Sequence, residues 1–177
     1  TDAGLSWFPV PDTIIGRDYH SVYFTSRDTG WVGGSGGAML TTSDGGASWH
    51  QQFTLVPTTV SDVRFLNPAV GYALADKYFL STTNGGFSWI PRLLDSVNAL
   101  NALDFPSIGR GWIVADNGEI KQTTDNGATW NRLVNNTTLD LYDNFFHDGQ
   151  TGWSVGSRGT VLRTVTGGLN WIRDLTP

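Results

Sequence analysis

The 177-residue chain contains no cysteine, one methionine, one glutamate (Glu119) and two lysines (Lys77 and Lys121). Without thiols, disulfides, thiolate metal sites and cysteine nucleophiles are excluded, while the compartment stays open. Charged residues make up 15% of the sequence, against about 25% in typical globular domains, and the charged helix formers Glu and Lys are nearly missing. No apolar run approaches the ~20 residues of a membrane-spanning helix. The chain is acidic, with a net charge of −5 and no Lys-rich or Arg-rich run, so nucleic acid is not an expected partner. His20, His50 and His147 form no His-x-His or His-x-x-x-His pair, and neither a metal nor any other cofactor is expected. The glycines belong to hairpins and not to a nucleophile elbow or a phosphate-binding loop.

What is abundant is glycine (22), tryptophan (8) and aspartate, with Thr, Val, Phe and Tyr. This mixture points to an all-β protein with many tight turns. An internal repeat organises it. Thr42-Ser-Asp-Gly-Gly-Ala-Ser-Trp49, Thr82-Thr-Asn-Gly-Gly-Phe-Ser-Trp89, Thr123-Thr-Asp-Asn-Gly-Ala-Thr-Trp130 and Thr164-Val-Thr-Gly-Gly-Leu-Asn-Trp171 follow one template, their tryptophans 40, 41 and 41 residues apart. A truncated copy, Asp2-Ala-Gly4-Leu-Ser6-Trp7, opens the chain. Phe24, Phe65, Phe105 and Phe146 keep the same period, as do Gly30-Trp31, Gly71-Tyr72, Gly111-Trp112 and Gly152-Trp153.

Between these landmarks lie four short β-type runs per unit, exemplified by 20–24, 31–34, 39–42 and 48–52. A period of about 40–45 residues with four strands is the pattern of a β-propeller blade. The expected architecture is an all-β propeller of four-stranded antiparallel blades: an opening outer strand over 1–12, then blades over 13–54, 55–95, 96–136 and 137–177. The chain starts at Thr1 without an initiator Met, so a removed leader or a longer chain is expected. The supernumerary opening strand implies a larger propeller or one completed by other copies, since an open blade edge exposes apolar surface.

In each box, Asp44, Asn84 or Asp125 is placed to cap turn N–H groups, the glycines supply positive φ, and Trp49, Trp89, Trp130 or Trp171 seals the blade; Asp2 and Trp7 are their counterparts in the opening half-box. The fourth box departs from the template, with Thr166 in the Asp position and Asn170 in the Ser/Thr position, and a looser turn is expected there.

The pattern Ser/Thr-x-Asp-x-Gly-x-Ser/Thr-Trp resembles the Asp-box, or BNR repeat, of sialidases and many secreted propellers. With Gly-Trp-x-x-Gly ahead of it, the repeat most resembles the photosystem II assembly/stability factor family and its bacterial relatives, over nearly the whole chain. That resemblance implies structural boxes at the blade periphery and an extracytoplasmic (secreted, periplasmic or lumenal) scaffold that binds another protein. The alternative is a glycan-binding or sialidase-like module, which in that family needs an arginine triad, a Tyr activated by a Glu, and an acid/base Asp. Glu119 follows a turn glycine, where a solvated residue is expected, and Arg92, Arg132 and Arg173, just after box tryptophans, look like outer-strand edge guards.

Positions that vary between units are free to specialise. Before the constant Phe these are Tyr23, Arg64, Asp104 and Phe145; four before it they are His20, Ser61, Asn101 and Tyr142. Together with Arg17, Tyr19 and His147 they make a polar-aromatic set suited to a binding surface. The expected ligand is protein, including other copies or the rest of the same chain, with a glycan as the alternative.

Overall fold

A computed structural model describes residues 5–6 and 16–173. Asp2, Trp7 and nearly all of the opening strand expected over 1–12 lie outside the described residues. The rest forms four propeller blades, each a four-stranded antiparallel meander. Blade 1 comprises β1 (Tyr19–Phe24), β2 (Gly30–Gly34), β3 (Ala38–Thr42) and β4 (His50–Phe53), and blade 2 comprises β5 (Val60–Phe65), β6 (Gly71–Ala75), β7 (Tyr78–Thr82) and β8 (Ile90–Leu93). Blade 3 comprises β9 (Leu100–Ser107), β10 (Arg110–Ala115), β11 (Ile120–Thr123) and β12 (Asn131–Leu133); blade 4 comprises β13 (Leu141–Phe146), β14 (Gly152–Gly156), β15 (Thr160–Thr164) and β16 (Ile172–Arg173). The innermost strands β1, β5, β9 and β13 pack against one another in that order.

The outermost strands begin one residue after the box tryptophan, not at Ser48 as the sequence suggests. Ser48 is held in the turn instead, its N–H and hydroxyl both donating to Asp44 (2.8 and 2.6 Å). Thr42 Oγ1 donates to Asp44 and accepts from Gly46 N–H, and Gly45 and Gly46 take φ of 73° and 88°, which L side chains avoid. Asp125 repeats this arrangement with Thr123 and Thr129. Asn84 accepts from Ser88 N–H and turns its amide onto the Ser88 hydroxyl. Thr166 accepts from Asn170 N–H (2.9 Å), so the fourth box keeps its backbone cap with one oxygen where a carboxylate has two.

The blades are joined by aromatic rings. Trp31 of blade 1 stacks on Phe65 of blade 2 (centroids 3.5 Å apart, planes at 11°), Tyr72 on Phe105 (4.4 Å, 22°) and Trp112 on Phe146 (3.7 Å, 8°). Each of these phenylalanines meets the box tryptophan of its own blade edge-on, as in Phe65 with Trp89 and Phe146 with Trp171. Stacked and edge-to-face pairs add about 0.5–1.5 kcal/mol each beyond area burial. The Phe also explains the glycine before each Trp or Tyr: a Cβ on Gly30 or Gly111 would come within 2.6 or 2.5 Å of the Phe24 or Phe105 ring.

At the periphery, Trp31 Nε1–H and the Gln52 amide donate to the Gly85 carbonyl in the next box (3.1 and 2.9 Å), and Trp112 and Gln122 do the same to Gly167 (3.1 and 2.9 Å). Tyr72 has no indole N–H. At that joint Arg92 reaches the carbonyls of Gly127 and Ala128 (2.6 and 2.5 Å) and lies over Phe79. Arg92 is therefore a tie between blades and not an edge guard, because its fork replaces the missing indole donor.

Gly111→Ala is expected to lower unfolding free energy by about 1–3 kcal/mol, the usual cost of overpacking, measured as a shift of the urea midpoint; an unchanged midpoint would show that ring and strand separate freely.

Candidate functional site

The inner strands carry the side chains that line the blade axis. Three of them bulge one residue after their start, with register shifts between Tyr19 and Ser21, Val60 and Asp62, and Leu141 and Asp143; β9 shifts at the corresponding place. The residue set off by each shift is His20, Ser61, Asn101 or Tyr142. A bulge redirects its side chain and frees it from the ladder. Ser61 uses this freedom to donate to the Leu100 carbonyl of blade 3 (3.0 Å), and Asn101 donates to the Leu141 carbonyl of blade 4 (2.8 Å). Beside them is a cleft of about 470 Å3 lined by Gly36, Pro57, Thr58, Ser61, Asp76 and Asn101, among others.

Asp62 is buried and links three blades. Its Oδ1 accepts from the Ser21 hydroxyl of blade 1 (2.9 Å), from Val63 N–H (2.8 Å) and from Arg64 (2.8 Å), while Oδ2 accepts from Leu103 N–H of blade 3 (3.0 Å). Burial pushes its carboxyl above the ordinary value, against the pull of Arg64 and these donors. Asp104 is likewise pushed up by burial, against the Phe146 N–H it accepts (2.6 Å) and the Arg64 charge. Arg64 also donates to the Val63 carbonyl and lies 5.6 Å from the Tyr23 ring centroid.

The structure thus brings Tyr23, Arg64 and Asp104 together near the C-terminal ends of the inner strands. Phe145 occupies the same position on β13, exposed and stacked on Trp153 at 6.4 Å. His147, exposed, follows that strand, its N–H donating to the Thr151 carbonyl. Tyr19, His20 and Tyr142 stand at the opposite end, with Arg17 donating to the Ser35 carbonyl (3.3 Å). Three residues of strand, about 10 Å, separate the two groups, so the nine residues make two clusters. Asp62 and its counterpart Asp143 are absent from the sequence-based set. The signal was present: three residues before the constant Phe the chain reads Ser21, Asp62, Ala102 and Asp143, polar in three of the four units.

Glu119 is not the solvated turn residue expected from sequence. It is buried, accepts from the Asn98 amide (2.6 Å) and pairs with Lys121, which also reaches Asp95 at 3.1 Å. Arg132 stands 3.8 Å away. Burial raises the Asp95 carboxyl, but the N–H groups of Asn98 and Val97 together with Lys121 outweigh it and hold that carboxyl well below the ordinary range. The network ties the loop between β8 and β9 to β11, which is why the turn position is covered.

Residues 54–140 match the family model described as photosynthesis system II assembly factor YCF48. The blades are similar to the BNR-repeat propellers of the photosystem II assembly factor type. Over 83 residues the chain is 35% identical to the photosystem II assembly lipoprotein Ycf48 of Synechococcus sp. (strain CC9902), a match covering 44% of this chain and 25% of that protein. The match thus spans a quarter of the length of this curated relative. YCF48 from Cyanidioschyzon merolae superposes with a TM-score of 0.77 at 21% identity, over 95% of this chain and 59% of that one. A structure of YCF48 bound to D1 peptide gives 0.64 at 16% identity, over 95% of this chain and 83% of that one. An ancestral GH74 enzyme shares the fold at 0.73 and 16% identity, over 90% of this chain and 24% of that one. No helix among the described residues is long and apolar enough to cross a membrane.

Hydroxyl and then backbone donors from Ser48 and Thr129 hold the Asp44 and Asp125 carboxyls at about 2, below the ordinary 3.8. Carboxyls lowered by folding stabilise above their unfolded value and lose that contribution as pH falls through the folded one. Asp62 and Asp104, raised by folding, act oppositely and favour the folded state on protonation above that window. Stability is therefore expected to hold or rise on mild acidification and to fall from about pH 4 toward pH 2. Urea midpoints across pH check this. The double variant Asp44→Asn/Asp125→Asn, which copies the Asn84 box, should flatten the acid decline; an equally steep decline would remove the boxes as its source.

Proposed function

We propose that this chain is a non-catalytic, extracytoplasmic protein-binding module of the photosystem II assembly factor type, with the inner-strand face as its docking surface. The observation that carries the reading is Arg64. Its side chain is 27% exposed, one guanidinium nitrogen is committed to Asp62 and the Val63 carbonyl, and its plane lies near Tyr23. The other N–H groups of the fork have no hydrogen bond among the described residues. A preorganised arginine beside an aromatic ring is the residue pairing favoured at protein-binding hot spots, and its fork suits a peptide carboxylate or carbonyl. Asp104, Phe145 and His147 extend this surface at the same end of the strands. Arg17, Tyr19, His20 and Tyr142 form a second, separate end.

Two further observations support the reading. The YCF48 structure with bound D1 peptide has this fold, and the curated relative is an assembly lipoprotein. The single glutamate, which a sialidase-like mechanism would need, is engaged with Asn98 and Lys121 inside the blade 3 network. Glycan recognition remains the second reading, favoured by the fold shared with GH74 enzymes.

Titration of the purified chain with D1 peptide, against a scrambled peptide, is expected to show saturable binding. Arg64→Lys and Tyr23→Leu should each weaken it by about tenfold or more while thermal unfolding shows the fold intact. Absence of binding, or binding indifferent to both variants, rejects the assignment. Hydrolysis of xyloglucan or a sialoside that disappears in Glu119→Gln would replace it with the glycosidase reading.

A further inference from the structure

Three residues after the box tryptophan, the outer strands of blades 1, 2 and 3 carry Gln52, Arg92 and Leu133, paired across the ladder with Met39, Phe79 and Ile120. Each meets the box of the following blade differently. Arg92 spans its joint: its two terminal nitrogens donate to the Gly127 and Ala128 carbonyls, and its guanidinium lies 5.7 Å from the Phe79 ring centroid. Leu133 packs on Gly168, where a Cβ would come within 2.5 Å of it. Gln52 is turned inward and is 8% exposed; its amide donates to the Gly85 carbonyl (2.9 Å) and its oxygen accepts from the Trp89 indole (3.4 Å).

The counterparts of the two carbonyls held by Arg92 are those of Gly86 and Phe87. Among the described residues they accept no hydrogen bond. The two boxes share one backbone geometry, since Gly86 and Gly127 take φ of 89° and 81° and each donates its N–H to the box threonine. The free pair therefore converges as its counterpart does on Arg92. In front of it, between the outer strand of blade 1 and the box of blade 2, is a groove of about 740 Å3 bounded by Trp31, His50, Phe53, Pro68, Gly86 and Phe87, among others. The corresponding space beside Arg92 is about 360 Å3. Phe53 and Phe87 are 71% and 92% exposed, and clustered exposed aromatic surface marks interaction sites.

We propose that this groove is a docking site for an arginine side chain of a partner protein, its guanidinium donating to the Gly86 and Phe87 carbonyls and its stem covered by Phe53 and Phe87. The neighbouring joint names the occupant, because there the same two carbonyls take a guanidinium from the chain itself. Adjacent carbonyls suit a planar fork of N–H donors, whereas an ammonium is a more strongly hydrated point charge. No Lys, Arg, Asp or Glu lines the groove, so nothing in it repels or pairs the incoming cation, and the net charge of −5 favours its approach. The site lies on the outer rim, shares no residue with the inner-strand surface and is independent of the peptide-binding reading.

NMR titration of the isotopically labelled chain with the peptide acetyl-Gly-Arg-Gly-amide tests it, with the citrulline and lysine peptides as controls. Saturable shifts centred on Gly86, Phe87 and His50 are expected within about 10 mM peptide, as one anchored side chain gives affinity on the order of millimolar. The citrulline peptide, of the same shape without the charge, should bind at least about tenfold more weakly, and the lysine peptide should also be weaker. Gln52→Arg, which supplies an internal guanidinium as Arg92 does, should abolish saturation while thermal unfolding shows the fold intact. Phe53→Ala/Phe87→Ala removes only exposed rings and should weaken binding about fivefold or more; it decides the matter if Gln52→Arg does not fold. Equal binding of the arginine and citrulline peptides, shifts centred on the inner strands, absence of saturation, or binding unchanged in the folded variants overturns the proposal.

Discussion

A flat aromatic ring laid from one blade onto the inner-strand phenylalanine of the next is the contact on which the rest of the structure depends. Strands in neighbouring blades share no ladder, so the joint must come from side chains. The stacked pair fills the space between sheets and sets where the edge-on box tryptophan fits. The phenylalanine ring also leaves no room for a Cβ at the glycine that opens the next strand of its own blade. The box turn then matters twice: it presents the tryptophan, and it offers a backbone carbonyl to the indole or guanidinium of the preceding blade.

Near the axis the joint is polar, and this limits which residues are available for function. Ser21, Ser61, Asn101, Asp62 and Asp104 all bond across blades. A buried carboxylate is costly unless its oxygens are satisfied, and Asp62 meets that condition with four donors from three blades. Arg64 differs in having donors left over beside Tyr23, which makes it the group best placed to engage something outside the four blades. The same logic removes Glu119 from consideration as a free acid: its partners Lys121 and Asn98 brace a loop.

The joint also explains the exposed outer faces of blades 1 and 4. Interior copies of Val155, Val22 and Phe24 are buried, so the exposure of these three is a matter of position along the repeat, since their residue types match.

The period of the repeat, the four strands per unit and the positions of Trp, Gly and Asp in the boxes were legible in the sequence, because hairpin turns and strands obey local rules of φ, hydrogen bonding and alternation. The strand starts shifted by a residue or two where Ser48 was claimed by Asp44. The candidate surface was legible only as a list: Tyr23, Arg64 and Asp104 converge, whereas His20 and Tyr142 stand about 10 Å away along the strand. Asp62 was in plain view as a polar inner-strand residue, but its bonds run to residues about forty positions away in either direction. Chain order therefore determined the blade and the composition of each joint. Which polar groups are consumed in joining blades, which remain available, and which faces stay open depends on contacts between side chains distant in sequence, and only the tertiary structure decides that.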